Sequence, residues 1–238
     1  MNPRYSVAQV LSDTGAILLD FDGPVCSVFA TLADSTIAAE LRRVIEEHGA
    51  EIPEHIRNVD DPLEVLRFTA TTRAPSLVVR VENALCRAEL TAVDGARPTP
   101  YAREVIVAAH EAGRPIAIVS NNSAPAIDRY LTAHRLARYV AATVGRAYAE
   151  PSLMKPNPVP IQRAAMAVAA DPGRCVLVGD SVTDIEGGHA ARVRTIGFAN
   201  KPGKRARLMR ARADAIAEGA DAMAEITAAL YSEKPERQ

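Results

Sequence analysis

The strongest constraint on this chain is a series of five short apolar runs: AILLD (16–20), PIAIVS (115–120), YVAATV (139–144), CVLVGD (175–180) and RTIGF (194–198). Continuous runs of Ile, Val and Leu of this length suit strands buried on both faces, as in a parallel sheet. Helix-sized stretches at 124–138, 158–170 and 183–191 separate the later runs. Strand–helix alternation of this kind predicts right-handed crossovers and an α/β fold, a doubly wound parallel-sheet core of Rossmann-like type.

The first two runs are separated by residues 21–114, too many for one crossover. Within that interval 28–48, 62–73 and 77–90 carry helical periodicity. The first places Val28, Phe29, Leu32, Leu41, Val44 and Ile45 at three- and four-residue steps. The second opens with Asp61 as a cap, Pro62 at the first helical position and Glu64 completing a capping box. The expectation is a helical cap domain, residues 27–93, inserted into a core built from residues 1–26 and 94–238. A helix over 100–112 then leads into the second strand.

Charge and composition narrow the function classes. Lys+Arg number 28 and Asp+Glu 29, a formal net charge of −1. Such a balance supplies no global field for nucleic acid or an anionic membrane. The longest purely apolar run, 164–170, falls far short of the ~20 residues a spanning helix needs, and the N-terminus lacks a secretory apolar core. Cys26, Cys86 and Cys175 are odd in number and show no C-x-x-C spacing. They read as free thiols in a reducing compartment, which places the chain in the cytoplasm. No obligate protein partner is evident, and the polar end after Leu230 is expected to fray.

In open parallel sheets, ligands bind at the carboxyl ends of the strands. Three run ends carry polar clusters here: Asp20-Phe21-Asp22-Gly23, Ser120-Asn121-Asn122, and Gly179-Asp180-Ser181 with Asp184 one turn later. Lys155 stands in the Pro-rich loop PSLMKPNP before the fourth run. Four carboxylates cannot all ionise close together without a cation. Oxygen ligands with open positions suit Mg²⁺, which keeps several waters and commonly bridges phosphate. A carboxylate nucleophile beside a second carboxylate and a metal fits phosphoryl transfer through an aspartyl phosphate. Ser120 and Lys155 would hold the phosphoryl oxygens as charge develops.

D-x-D-G after the first run, S-N after the second, an isolated Lys-Pro and G-D-x-x-x-D after the fourth together resemble the four motifs of the haloacid dehalogenase-like hydrolase superfamily. The resemblance covers the whole chain and points to the helical-cap branch that holds phosphoglycolate phosphatase and β-phosphoglucomutase. It implies a Mg²⁺-dependent phosphatase acting on a small phosphorylated metabolite. By that resemblance Asp20 is the nucleophile, and Asp22 protonates the leaving oxygen, later deprotonates the attacking water and turns its main-chain carbonyl to the metal. Asp22, Gly23, Ser120, Asn121 and Lys155 contact phosphate, Lys155 also offsetting charge on Asp20. Asp20, Asp22, Asp180 and Asp184 surround the metal. The family usually has Thr where this chain has Pro24, so a hydroxyl near Asp22 is missing.

Within that superfamily Asp22 argues against dehalogenation. Lysines occur only at 155, 201, 204 and 234, so no lysine in 27–93 can form a Schiff base. A sugar-phosphate mutase keeps the same motifs and stays open, as does a phosphate-binding regulatory protein with weakened catalysis. Arg57, Asn58, Asp60 and Arg73 are candidate substrate contacts of the cap. Ser123 reads as a helix N-cap, Asp184 as a first-turn acid as well as a site residue, and Cys26 as a small buried thiol. The basic stretch 201–212 reads as an amphipathic surface helix in preference to a nucleic-acid patch.

Overall fold

The structure, a computed structural model, describes residues 3–232. Its strands are β1 (Ala16–Leu19), β2 (Cys26–Ser27), β3 (Arg97–Pro98), β4 (Ile116–Val119), β5 (Ala142–Val144), β6 (Cys175–Gly179), β7 (Arg194–Ala199) and β8 (Ala215–Glu218). Six of them form one sheet in the order β5-β4-β1-β6-β7-β8, with every pairing parallel. The expected doubly wound α/β core is therefore the observed one.

Alternation along the central strands divides the sheet's two faces. Ile17, Leu19, Ile116, Ile118, Val176 and Val178 face the helices α1 (Val7–Ser12), α6 (Ala102–Glu111), α7 (Ala124–Ala133) and α11 (Ala222–Ser232). Ala16, Leu18, Ala117, Val119 and Leu177 face α8 (Val159–Ala167). Each fully buried Ile, Leu or Val contributes about 1.5–3 kcal/mol, so the continuous apolar runs are what hold the layers together.

The remaining helices before the second core strand are α2 (Asp34–Glu47), α3 (Glu54–Arg57), α4 (Pro62–Thr69) and α5 (Pro75–Ala92). Ile37, Leu41 and Ile45 of α2, Val65 and Leu66 of α4, and Leu77, Val81 and Leu85 of α5 form an apolar cluster of their own. Antiparallel pairing of Cys26 with Pro98 and Ser27 with Arg97 brackets this helical segment. That ribbon explains why α2 starts at Asp34 and not at Val28: Ser27 is still in a strand, and the Val28 N–H is drawn to the Asp22 carboxylate, 2.9 Å away.

Other departures have equally local causes. Asp61 does cap α4, accepting from the Leu63 N–H, but Glu64 turns to Arg67 instead of closing the capping box. Ser123 occupies the N-cap position of α7, yet its hydroxyl makes no cap bond and is buried without a partner among the described residues. The run 139–144 yields only the half-buried edge strand β5. β8 went unpredicted, and of the basic stretch only α10 (Lys204–Arg210) is helical. Tyr231 and Ser232 complete α11, while the expected fraying of 233–238 lies outside the described residues. Among the described residues no helix is long and apolar enough to cross a membrane.

Candidate active site

The first polar cluster is placed by main-chain bonds. The Asp20 N–H donates to the Val178 carbonyl at 2.9 Å, which keeps the residue at the end of the sheet. Phe21 is buried and meets Tyr130 edge-on at 5.3 Å, anchoring the turn from beneath. The Phe21 N–H donates to Asp20 Oδ1 at 2.8 Å. Asp22 Oδ1 in turn accepts from the Val28 N–H.

Gly23 corrects an expectation. Its N–H donates to the Cys26 carbonyl at 2.7 Å, so that amide is spent inside the turn and not offered to phosphate. What the glycine supplies is space and a backbone angle. Its φ is +105°, and a Cβ there would stand 2.3 Å from Asp180 Oδ2.

Lys155 is the hub of the site. Its ammonium donates to the Val119 carbonyl at 2.9 Å and Asp184 Oδ1 at 2.6 Å, and pairs with Asp20 Oδ1 at 2.8 Å. Burial would depress its pKa, but Asp184 and Asp20 outweigh burial and hold it charged. Its own N–H donates to Asn121 Oδ1 at 2.8 Å, which ties the Pro-rich loop to the second cluster. There the Ser120 hydroxyl donates to Asn122 Oδ1 at 3.1 Å and accepts from the Asn122 N–H at 3.2 Å.

The third cluster opens α9 (Val182–Ala190). Ser181 and Asp184 form a reciprocal capping box, so Asp184 is the first-turn acid expected, and its other oxygen pairs with Lys155. Asp180 pairs with Lys204, the first residue of α10. An amphipathic surface helix over 201–212 does not predict this contact, which turns one basic residue inward to the site.

Carboxylate oxygens of Asp20, Asp180 and Asp184 lie within 4.8 Å of one another. Such an all-oxygen set fits a hard divalent cation such as Mg²⁺. The charge agrees: the carboxylates of Asp20, Asp180 and Asp184 pair with the ammoniums of Lys155 and Lys204, leaving one formal negative charge before Asp22 is counted. The Asp22 side chain stands apart from the trio, so its expected metal contact could come only from the main-chain carbonyl. Crowding shows in the titration of these groups. Burial, then Asp184, pushes Asp20 up to about 7 against the pull of Lys155. Burial pushes Asp22 up to about 6, partly offset by the Val28 N–H. Burial also raises Asp180, with Lys204 opposing.

These residues border a cavity of about 300 Å³. Asp20, Asp22, Ser120, Asn121, Lys155 and Asp180 line it from the sheet side, whereas Asp184 lies beneath Lys155. Phe29, Asp34, Asp61, Glu64 and Arg67 line it from the helical segment. Arg57, Asn58, Asp60 and Arg73 do not. Arg57 borders a separate hollow with Glu51 and Thr72. Arg67 is committed twice, to Glu64 and to the Lys155 carbonyl at 2.7 Å.

Carboxylates, a buried ammonium and small polar residues gathered at the carboxyl edge of a doubly wound sheet mark an α/β enzyme with its centre at the strand ends. The chain belongs to the haloacid dehalogenase-like hydrolase family, whose model matches residues 14–192. Comparison with curated proteins finds no significant match. Among solved structures, a predicted phosphatase from Clostridium acetobutylicum superposes with a TM-score of 0.68 at 15% identity, covering 92% of this chain and 99% of that one. A β-phosphoglucomutase candidate from Bacteroides vulgatus gives 0.67 at 15% identity, covering 95% and 97%. A hydrolase of the family from Deinococcus radiodurans, solved with bound phosphate and sodium, gives 0.58 at 23% identity, covering 90% and 97%. At these identities the likeness establishes the fold.

Proposed function

We propose that the protein is a Mg²⁺-dependent phosphatase that hydrolyses a small phosphomonoester through a phosphorylated Asp20. The observation that carries this reading is Lys155, a buried ammonium joining Asp20 to Asp184 beside Ser120 and Asn121. In the first step an oxygen of Asp20 attacks phosphorus as the bond to the leaving oxygen breaks, and Asp22 gives that oxygen its proton. In the second, water attacks the same phosphorus, Asp22 takes its proton, and the bond to Asp20 breaks to release phosphate. Ser120, Asn121 and Lys155 hold the phosphoryl oxygens throughout. Asp20, Asp180, Asp184 and the Asp22 carbonyl would hold Mg²⁺, which supplies charge neutralisation and favours the ionised form of Asp20.

The helices α2–α5 act as a cap over this centre, and the cavity wall they present argues for a phosphatase over a mutase. A mutase must seat a bisphosphate, which calls for a second cationic phosphate site. Asp34, Asp61 and Glu64 line the helical side, and its one arginine there is already engaged. The three free cysteines support a reducing compartment such as the cytoplasm as the site of action. The test is a panel of phosphorylated metabolites assayed for Mg²⁺-dependent phosphate release, with isomer formation followed in parallel. Phosphate release without activation by a bisphosphorylated sugar is expected. Isomerisation that needs such a sugar establishes the mutase, and binding without turnover establishes a regulatory protein.

A further inference from the structure

Outside the carboxylate centre, a second group of buried charges joins α5 to the loop that follows β5. Arg146 in that loop has a side chain with no exposed surface, and Glu82 and Glu89 of α5 are 1% and 0% exposed. The guanidinium Nη2 donates to Glu82 Oε1 and Nη1 to Glu89 Oε1, both at 2.8 Å, and Nε donates to Glu82 at 3.0 Å. The two glutamates are seven residues apart, two helical turns, and so share one face of α5.

The same side chains also grip the Ser120–Ser123 loop. Arg146 Nη1 donates to the Asn121 carbonyl at 2.5 Å, and the Arg146 N–H donates to the Asn122 carbonyl at 2.8 Å. From the other side Glu89 Oε2 accepts from the Ser123 N–H at 2.9 Å, and Glu89 Oε1 from the Asn122 side-chain amide at 3.4 Å. The contacts form a closed ring from loop carbonyl to arginine to glutamate to loop amide. Gly145 permits it: a Cβ there would come within 2.4 Å of the Ala124 nitrogen.

Stability alone does not account for three buried charges, because apolar residues of the same volume commonly serve as well or better. A fully bonded polar network gives fixed orientation, which an apolar cluster does not. We propose that Arg146 is a positioning residue whose clamp with Glu82 and Glu89 locks the Ser120–Ser123 loop to α5, so that loop and helix move as one body. This rests on the reading of Ser120 and Asn121 as phosphate contacts. α5 packs in the helical segment's own apolar cluster through Leu77, Val81 and Leu85. The clamp therefore sets the distance between the phosphate end of the cavity and the wall that meets the rest of the substrate.

The test uses the full chain with Arg146→Lys, which keeps a cation but loses the planar fork, and Glu89→Gln, which keeps an acceptor for Ser123. Amide hydrogen exchange is followed in peptides covering 120–124 and 82–92, under conditions where circular dichroism shows folded protein. Both peptides are expected to exchange at least ~10-fold faster together, while β6 and β7 keep wild-type protection. KM for p-nitrophenyl phosphate and Kd for inorganic phosphate should rise about tenfold, with kcat changed less than about threefold. Tyr148→Phe, which removes only the 2.9 Å contact of the same loop to Asn83, should change neither readout. Wild-type protection of 120–124 in both variants overturns the proposal, whatever the protein hydrolyses. So does a fall in melting temperature with KM and phosphate affinity unmoved, or an equal response to Tyr148→Phe. A wild-type protein that neither binds nor releases phosphate overturns the phosphatase reading instead, while hydrogen exchange still decides whether loop and helix are coupled.

Discussion

Replacing Lys155 with methionine tests the electrostatics of the centre apart from any turnover. Methionine matches the apolar stem of lysine but removes the ammonium and its contacts to Asp20, Asp184 and the Val119 carbonyl. Lys155 is 2% exposed and Asp184 0%, so water cannot replace what is lost. Breaking a buried pair by deleting one partner costs about 3–5 kcal/mol. For a chain of this size that is a fall in melting temperature of roughly 6–20 °C.

The pH dependence carries the sharper signature. Lys155 is the main influence lowering Asp20, so the variant's Asp20 must titrate above the value of about 7 that it has beside the ammonium. A carboxyl whose folded pKa exceeds its unfolded value of 3.8 loses stability as pH climbs from the lower value to the higher. In the variant that window extends further upward than in the wild type. The deficit is therefore larger at pH 8 than at pH 6, changing by up to ~1.4 kcal/mol per pH unit for one carboxyl. Denaturant unfolding of both proteins in chelator-treated buffer at several pH values measures it. A deficit below ~1 kcal/mol at pH 8 that does not vary with pH would refute the buried-hub account.

Asp20→Asn should abolish turnover while the fold stays intact and melting falls far less than in the Lys155 variant, since asparagine keeps an oxygen for the Phe21 N–H, Lys155 keeps Asp184 as counter-charge, and burial and Asp184 already disfavour the Asp20 charge; more than a few per cent of residual activity sinks the nucleophile assignment. Asp22→Ala should cost roughly 10²–10⁴ in rate on alkyl phosphates and less on nitrophenyl phosphate, whose leaving group hardly needs a proton. Because an acid must be protonated to act, the wild-type rate on alkyl phosphates should fall as pH rises past about 6, and a leaving-group-independent loss argues against this role. Asp180→Ala should raise the Mg²⁺ concentration needed for half-maximal activity, and an unchanged Mg²⁺ titration removes Asp180 from the metal set.

What the sequence made legible was whatever lay directly at the end of an apolar run. Asp20, Ser120 and Asp180 follow the last residues of β1, β4 and β6, so periodicity alone placed them at one sheet edge. Lys155 came from its motif, and the structure shows why it sits there: its N–H and ammonium are both bound by that edge. Pairings across long separations left no trace in periodicity. Lys204 reaches Asp180 across 24 positions and Arg146 reaches Glu82 across 64. β8 escaped because its apolar residues are Ala, Ile and Ala, a composition equally at home in a helix. The substrate-facing candidates failed for a different reason. Which faces of α3 and α4 meet the cavity depends on how the helical segment is seated, and polar residues occur on every exposed helix face.

Pro24 is where this chain leaves its family's pattern, and the structure supplies a reason for expecting little harm. Its ring removes an N–H and fixes φ near −65°, and it carries no hydroxyl to steady Asp22. The Asp22 carboxylate is instead held by the Val28 N–H, a main-chain donor that does not depend on the side chain at position 24. The turn itself is secured from outside: the Thr99 hydroxyl donates to the Gly23 carbonyl at 2.5 Å and the Thr99 N–H to the Val25 carbonyl at 3.0 Å. Pro24→Thr should therefore change kcat by less than about tenfold, or ~1.4 kcal/mol in barrier. Both proteins are compared on one phosphomonoester panel with Mg²⁺. If the wild type turns over nothing and the threonine variant gains clear activity, the missing hydroxyl was decisive, the Val28 contact does not substitute for it, and a phosphate-binding regulatory role replaces catalysis.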